Sequence, residues 1–470
     1  GGVNTSGIGT AETEHMIEET ISGLPLEFYT RLGRKYGYTG PAFYFESHKA
    51  EQVFNEMISE AGVETIYDAF VVKVNKKGGK IISIVLSNGD EVQGNVFIDA
   101  TYEGDLMARS GVDYTYGRES KGQYNESLAG IRLHDKPVEV SPYGDDGNLL
   151  PGFVEAASLK NGEASKRVIN YNFRMVLSTG DDRMPIPPPD NYDPSRFILL
   201  KRLLIRSPDT RLSEIIDLYT RKLYPLFPKG KYEANNKQNA LISLGLFGGN
   251  AEYPDADYEK RKAIFQDHKD WTLGLFHFLL TDSSVPESLK REMRKYGLAK
   301  DEFVDNNHFP YYLYIREARR MIGRYVHTQK DIFIDTKKTD AIALGSHFVD
   351  CHHVQRVAVS KTQFVNEGRI WEKPEQPYEI AYRVITPQEK QCSNLLVPVC
   401  VSASHVAFCS IRVEVTWMQL GHAAGIAASM ASEKKKAVQQ ISLPDLQEKL
   451  KQEGAIISVD HQLWETHDKL

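Results

Sequence analysis

Three runs of β-forming residues, at 65–74, 80–86 and 91–98, most constrain how this chain can fold. Lys77-Gly78-Gly79 separates the first two runs and Asn88-Gly89 separates the last two, and both sequences favour tight hairpin turns. A strand that follows such a turn pairs with the strand before it. The sequence therefore predicts an antiparallel meander.

Two longer segments carry the helical period. Residues 47–61 place their apolar side chains on one face, with Ser47 in position to cap the helix and Gly62 to end it. Residues 413–431 form a second predicted helix, and one of its flanks carries only glycine and alanine. Either a neighbouring element or a flat cofactor can approach such a flank closely. The sequence alone leaves both possibilities open.

The third β run leads into a turn and a helix instead of another hairpin. In α/β proteins this kind of switch commonly holds a ligand. Ala100 and Gly104 leave space there, while Thr101 and Asp105 can hydrogen-bond the hydroxyl groups of a ligand. An alternative is that Asp105 only caps the helix that begins at Leu106.

Composition narrows the class of partner. Apolar residues make up 41% of the 470 residues and charged residues 26%, as in an ordinary soluble globular protein. The formal net charge of -6 gives no basic surface for nucleic acid, so a small-molecule partner is expected. No apolar run approaches the roughly 18 residues of a membrane span. We expect a soluble protein, and leave open whether it is cytoplasmic or exported.

Changes in composition divide the chain into three parts. The segment 133–194 is rich in Pro, Gly and Asp and predicts long loops at a domain border. Helical patterns follow at 261–280 and 288–296. We therefore expect an inserted, largely helical domain over 133–323, between a first part at 1–132 and a last part at 324–470.

The cysteine and histidine spacing does not predict a metal. No C-x-x-C pair occurs, and Cys351, Cys392, Cys400 and Cys409 are expected to be free buried thiols. His352-His353 are neighbours, and neighbouring side chains in a strand point to opposite faces. We therefore expect no metal site.

The combination of motifs resembles a known family, although each motif alone is weak. Residues 1–9 contain four glycines, which suits either a ligand-binding loop or a flexible terminus. In order, the motifs are Gly1-Gly2 with Thr5-Ser6-Gly7, IDATYEGDLMARSGVDYTYGRES, YIREARRMIGRY and NLLVPVCVSASHVAFCSIRVEVTWMQLGHAAGIAA. From Gly1 to about Leu450 the chain is similar to a bacterial family of FAD-dependent oxidoreductases, some members of which are labelled xanthan lyases.

The resemblance implies a fold, a cofactor and a set of cofactor contacts. The fold would be α/β, with an FAD-binding Rossmann-like domain of the glutathione-reductase or fumarate-reductase type and an inserted domain, mostly helical or α+β, for the substrate. The cofactor would be FAD, transferring hydride or electrons to or from a small organic molecule that could be a carbohydrate. The implied FAD contacts are Gly1, Gly2, Thr5, Ser6, Gly7, Val72 (or Val71, near the adenine), Ala100, Thr101, Gly104, Asp105, Leu420, Gly421, Ala423 and Ala424.

Catalytic candidates follow from what flavin chemistry requires. The protein must orient the substrate and stabilise charge, for which Arg and His are the usual side chains. His405 and Arg412 precede the small-residue helix, and Arg383 lies in a segment that the resemblance also covers. These three residues are the predicted catalytic groups.

The family pattern begins with elements that this sequence does not contain. Members normally open with a buried strand, a G-x-G-x-x-G turn and a helix that binds the pyrophosphate. We therefore expect a flavoprotein chain that lacks its N-terminal segment and has reduced affinity for FAD. Two other functions remain open at this stage: a polysaccharide lyase, with Tyr382, His405 and Arg383 acting on a uronate, and a non-catalytic protein that binds a ligand. The electron acceptor is also left open.

Overall fold

The computed structural model describes residues 1–220, 222 and 225–459, which form a mixed α/β protein. The helices in this part of the chain are α1 (Leu24–Lys35), α2 (Ser47–Glu60), α3 (Asp105–Arg109), α4 (Lys121–Tyr124), α5 (Ile198–Arg206), α6 (Tyr258–Thr281), α7 (Glu287–Met293), α8 (Gln329–Phe333), α9 (His405–Ile411), α10 (Glu414–Lys434) and α11 (Leu443–Gln452). Among these described helices, none is both long and apolar enough to cross a lipid bilayer.

The strands form several small sheets. In the same residues they are β1 (Val71–Lys77), β2 (Lys80–Leu86), β3 (Glu91–Gln93), β4 (Phe97–Ile98), β5 (Tyr114–Thr115), β6 (Phe153–Glu155), β7 (Met175–Thr179), β8 (Arg183–Met184), β9 (Ile216–Tyr219), β10 (Lys231–Asn236), β11 (Tyr296–Ala299), β12 (Arg320–Met321), β13 (Ala341–Gly345), β14 (Val349–Cys351), β15 (Gln355–Ala358), β16 (Phe364–Glu367), β17 (Ile370–Glu372), β18 (Tyr378–Ala381) and β19 (Leu395–Leu396). The largest sheet has five of them.

The predicted helix and meander near the start of the chain are confirmed. α2 buries Val53 completely, and β1, β2 and β3 follow it as antiparallel neighbours. Gly78 and Gly89 adopt positive φ angles of 60° and 92° in the two connecting turns. β1 begins at Val71, six residues later than predicted. Asp68 has a φ of 53°, and this left-handed residue interrupts an extended strand.

A short parallel pair joins two distant parts of the chain. The third predicted run, 91–98, is divided into β3 and β4, and β4 pairs with β19. Phe97 lies opposite Leu395 and Ile98 opposite Leu396. Because parallel strands end at the same edge, the turns after β4 and β19 lie side by side. The residues that follow both strands border one cleft, described below.

The middle of the chain is built on a five-stranded antiparallel sheet in the order β8-β11-β7-β10-β9. α6 covers it, and Trp271 and Phe276 of this helix share a hydrophobic core with Leu177 of β7 and Leu298 of β11. Burial of such large side chains contributes roughly 2 kcal/mol each to the stability of the core.

This sheet is the main departure from the largely helical region predicted at 133–323. The two predicted helices are present as α6 and α7. The sheet is not visible in the sequence because its strands pair with partners far away along the chain. In addition, β10 reads Lys-Tyr-Glu-Ala-Asn-Asn and lacks the apolar alternation of a typical strand.

α10 is the long helix with small side chains that the sequence predicts. It packs against β13, α1 and α11. Leu420, Ala423 and Ala424 are fully buried within that packing. By contrast, a side chain at Gly421 would meet no atom of the described residues within 4 Å. Neighbouring protein elements thus cover only part of the small-residue surface.

Candidate functional site

A cleft with a volume of about 440 Å³ opens where six separate segments of the chain meet. We call it the glycine cleft. Its walls are Gly1, Gly2, Phe54, Ala100, Thr101, Tyr102, Glu103, Tyr312, Val399, Glu414, Trp417 and Met418. Four of the predicted cofactor residues, Gly1, Gly2, Ala100 and Thr101, are therefore brought together.

The opening glycine-rich loop is firmly held behind the cleft. The Ser6 hydroxyl accepts a hydrogen bond from the Tyr312 amide at 2.8 Å. The Gly7 amide donates to the Ser47 hydroxyl at 2.9 Å, and the Gly9 amide donates to the Glu233 carboxylate at 2.8 Å. Thr5, Ser6 and Gly7 are buried and support the loop without lining the cleft.

Position 7 requires glycine for two reasons. Its φ is 107°, which L side chains rarely adopt. A Cβ atom there would also lie 1.9 Å from the carbonyl oxygen of Arg174. The backbone at Gly7 therefore lies too close to Arg174 to leave room for a side chain.

Asp99 organises the turn after β4. Its buried carboxylate accepts hydrogen bonds from the Thr101 hydroxyl at 2.7 Å and from the Met107 amide at 2.8 Å. Burial raises the pKa of Asp99, and these hydrogen bonds oppose the rise. As a result, Ala100 is exposed to the cleft, whereas the Thr101 hydroxyl is already hydrogen-bonded to Asp99 within the turn.

Gly104 and Asp105 lie below this turn, away from the cleft. Gly104 has a φ of 68° and packs against Cys400. The Asp105 carboxylate forms ion pairs with Arg261 at 2.6 Å and Arg319 at 2.7 Å. Burial would raise the pKa of Asp105, but the two guanidinium groups hold it below its usual value. Asp105 thus joins the turn to the middle region of the chain.

The first turns of α10 form the opposite wall. The Tyr102 hydroxyl donates to the Glu414 carboxylate at 2.7 Å and accepts from the Val3 amide at 2.9 Å. Burial raises the pKa of Glu414 to about 7, although the hydrogen bond from Tyr102 opposes this. Trp417 packs beside Tyr102 with ring centroids 5.4 Å apart, and its indole N–H has no partner among the described residues.

The predicted contacts on α10 lie two to six residues beyond Met418, the last residue of this helix that lines the cleft. Glu414, Trp417 and Met418 occupy positions i, i+3 and i+4, which share one helix face. Leu420, Gly421, Ala423 and Ala424 do not line the cleft. The spacing of Glu414, Trp417 and Met418 could have indicated this face in the sequence.

Val72 also lies outside the glycine cleft. It sits on β1 and is 39% exposed. Its carbonyl oxygen accepts a hydrogen bond from Arg109 at 3.2 Å. Its side chain belongs to the outer surface of the meander.

A second cavity of about 140 Å³ lies on the other side of the opening loop. We call it the polar pocket. It is lined by Thr10, Glu12, Glu14, His15, Arg174, Asp217, Tyr219, Asn235, Asn236, Gln238, Tyr314, His347, Asp350, His352, Arg369 and Trp371. Tyr314 lines this pocket, whereas Tyr312, two positions earlier, lines the glycine cleft. Val3 and Ile8 pack with Tyr314 between the two cavities.

His347 has a defined tautomer in the polar pocket. Its Nδ1 lies 2.8 Å from the carbonyl oxygen of Phe348, so Nδ1 carries the proton. The other nitrogen, Nε2, lies 3.7 Å from the Glu12 carboxylate and has no hydrogen bond to the described residues. Burial lowers the pKa of His347, although Glu12 and Asp350 oppose the effect. The imidazole is therefore neutral near pH 7, with Nε2 able to accept a proton.

Of the predicted catalytic groups, Arg412 borders the polar pocket. Its guanidinium pairs with Asp350 at 3.1 Å and donates to the Tyr314 hydroxyl at 3.2 Å. His405 is fully buried away from both cavities and contacts Glu317 at 3.0 Å. Arg383 is partly exposed and pairs with Asp340 at 2.8 Å. The structure thus does not bring the three predicted residues together.

A glycine-walled cleft beside a polar pocket suits an enzyme that holds an extended cofactor next to a small substrate. The chain matches the family model for FAD dependent oxidoreductases over residues 1–450 and belongs to that family. It is thus an oxidoreductase with FAD as cofactor. Neither a curated protein nor a solved structure matched the chain.

The residues of the glycine cleft fit a flavin nucleotide. Gly1, Gly2 and Ala100 leave one part of its wall without large side chains, and the Trp417 N–H is a donor without a partner in the described chain. α10 is 21 residues long and begins at Glu414, so the backbone amides of its N-terminal turn lie beside the cleft. The partial positive charge of a helix N-terminus favours phosphate and carbonyl oxygens.

Proposed function

We propose that the protein oxidises a hydroxyl group of a small, carbohydrate-like substrate held in the polar pocket, with FAD in the glycine cleft. The shared wall between the two cavities supports this most directly, because Tyr312 faces the cleft and Tyr314 faces the pocket. A cofactor and a substrate on either side of that wall would be neighbours.

The lining of the polar pocket is suited to a polyhydroxylated molecule. Aromatic rings such as Trp371 pack against the C–H faces of a sugar, and amides and carboxylates bind its hydroxyls. Asn235, Asn236 and Asp217 supply such groups here. Arg369 adds a cation suited to an acidic sugar.

His347 is the proposed base. When bound, FAD supplies a two-electron acceptor that takes a hydride from the substrate carbon. The hydroxyl proton must leave at the same stage, so that the C–O bond becomes a carbonyl. His347 lines the pocket, and its Nε2 atom has no hydrogen bond to the described residues and can accept that proton. Arg412 is a positioning residue, because it holds Asp350 and Tyr314 at the pocket wall.

We further propose that parts 1–132 and 324–470 together form the FAD-binding half, of the Rossmann-like type, and that 133–323 carries much of the substrate side. The parallel pairing of β4 with β19 supports the first assignment, because it joins those two parts at the cleft. Arg174, Asp217 and Asn235 from the middle part line the polar pocket and support the second.

The test is anaerobic reduction of the FAD-loaded protein. Glucose, glucuronate and sorbitol would be added separately, with ethanol as a control that lacks the polyhydroxylated surface. We expect at least one of the first three to bleach the visible flavin absorbance, while ethanol does not. If none bleaches it although dithionite does, the proposed substrate class is wrong. If a 4-linked uronate polysaccharide added to the same protein gave an unsaturated uronate product without flavin bleaching, that would instead indicate a lyase.

A further inference from the structure

Two cysteines and a histidine meet in the core, outside both cavities. Cys351 ends β14, and His405 and Cys409 lie one turn apart on α9. The His405 Nε2 atom is 3.4 Å from the Cys351 sulfur and 3.7 Å from the Cys409 sulfur. All three ligand atoms lie within 4.8 Å of one another, and each side chain is at most 1% exposed. We call this group the thiol-imidazole cluster.

The spacing within this cluster is that of three of the four ligand positions of a tetrahedral metal site. Zinc binds sulfur at about 2.3 Å and imidazole nitrogen at about 2.0 Å, and tetrahedral angles then separate sulfur from nitrogen by about 3.5 Å. The two observed separations, 3.4 and 3.7 Å, lie on either side of that value. The ligand atoms therefore need little movement to receive an ion.

The surroundings of His405 favour metal binding. Both Glu317 oxygens lie 3.0 Å from His405 Nδ1, which makes Nδ1 the proton-bearing nitrogen. Nε2 then presents its lone pair to the sulfurs, and a carboxylate behind a histidine is the usual partner of a metal ligand. Arg320 pairs with Glu317 and with Glu119, which holds the carboxylate in place.

We propose that Cys351, His405 and Cys409 bind one divalent transition-metal ion of the zinc type. The role is structural, because the cluster is closed to solvent. Asp350 and His352 flank Cys351 and line the polar pocket, whereas the Cys351 side chain meets α9. A metal would thus tie one wall of the pocket to α9. This inference does not depend on the proposed substrate.

The spacing of the cysteines hides such a site in the sequence. His405 and Cys409 are four residues apart, but Cys351 lies 54 positions before His405. A sequence-based prediction of a metal site depends on close C-x-x-C pairs. The three ligands of this cluster do not form such a pair. The expectation of four free, buried cysteines is confirmed. The sequence does not show that β14 packs against α9 and brings Cys351 to His405 and Cys409.

The experiment uses the reduced protein and two probes, Zn²⁺ and Co²⁺. After incubation and desalting, we expect about one tightly bound Zn²⁺ per chain by elemental analysis. Co²⁺ should give a thiolate-to-metal charge-transfer band and the intense visible bands of a tetrahedral site. Cys409→Ser should reduce retained metal by at least about tenfold, because loss of even an outer-shell partner of a ligand typically costs about 10–100-fold in affinity. Cys392→Ser, at a buried cysteine outside the cluster, should retain it.

The wild-type Co²⁺ spectrum decides the question even if a variant fails to fold. Absence of the charge-transfer band would overturn the proposal. So would equal metal retention by folded Cys409→Ser and Cys392→Ser proteins. A Cys351–Cys409 disulfide in a non-reduced peptide map of the freshly purified protein would also overturn it, because a disulfide leaves no thiolate to bind the ion.

Discussion

Tyr102 and Glu414 are 312 positions apart in the chain and are joined by a 2.7 Å hydrogen bond across the glycine cleft. The bond connects the turn after β4 with the first turn of α10. The Tyr102 hydroxyl also accepts from the Val3 amide, so this one side chain connects the opening loop, the turn after β4 and α10. The geometry of the cleft therefore depends on this contact.

Glu414 should make FAD binding depend on pH. Burial raises its pKa to about 7, so the carboxyl group is largely neutral at lower pH and charged at higher pH. The charged form repels the phosphates of FAD. We expect the dissociation constant to rise several-fold between about pH 6 and about pH 8. Glu414→Gln should remove this dependence in a fluorescence titration, whereas Glu448→Gln, at an exposed glutamate, should keep it. Equal pH dependence in all three proteins would contradict the prediction.

His347→Gln should slow flavin reduction by the substrate. Loss of a general base typically costs 10²–10⁴-fold in rate, and we expect a decrease of that order, about a hundredfold or more, in anaerobic stopped-flow measurements. FAD should still bind, because His347 does not line the glycine cleft. His134→Gln, at an exposed histidine, is the matched control. A rate within about twofold of wild type would exclude His347 as the base.

The pH profile of the wild-type reaction offers a separate test of the same residue. Burial lowers the pKa of His347 below its ordinary value of 6.5, while nearby Glu12 and Asp350 oppose the shift and Arg412 adds to it. The base should therefore stay active below pH 6.5 and lose activity only at more acidic pH. A profile whose acidic limb lies above 6.5 would argue against this assignment.

Removing one partner of the buried Arg118–Glu367 pair should strongly destabilise the fold. Both side chains are at most 1% exposed, and Glu367 also accepts from Gln355 at 2.9 Å. Glu367→Gln leaves a buried guanidinium without its counter-charge, at a cost of about 3–5 kcal/mol. Urea unfolding should show this loss. Glu163→Gln, which breaks an exposed pair with Lys160, should change stability by less than about 1 kcal/mol.

Two glycine substitutions separate backbone strain from steric exclusion. Gly7 and Gly89 both have positive φ angles, 107° and 92°. A Cβ at Gly7 would collide with the backbone of Arg174, whereas a Cβ at Gly89 would meet nothing within 4 Å. We expect Gly89→Ala to cost about 1 kcal/mol and Gly7→Ala at least about 2 kcal/mol more. Similar melting temperatures for the two variants would mean that the loop can move away from Arg174.

Local patterns predicted the elements whose signals lie within one stretch of sequence. The period of α2, the turns at Gly78 and Gly89 and the small side chains at Ala100 each depend on a few neighbouring residues. The same is true of the switch from β4 to α3.

Features formed by distant residues could not be predicted in this way. Asp105 could cap a helix on local evidence, but the fold pairs it with Arg261 and Arg319, more than 150 positions away. The polar pocket gathers side chains from at least four separate segments. His405 was predicted to be a catalytic group, whereas the fold buries it away from both cavities beside Cys351 and Glu317.

Retention of FAD tests the central claim most directly. Ala100 is exposed in the glycine cleft, so Ala100→Trp would fill the cleft without disturbing the core. Ile205→Trp, at a residue of α5 that is 68% exposed and does not line the cleft, is the matched control. After incubation with FAD and desalting, wild type and Ile205→Trp should retain visible flavin absorbance, and Ala100→Trp should lose most of it. Equal retention by all three proteins, or none by wild type, would contradict the placement of FAD in this cleft.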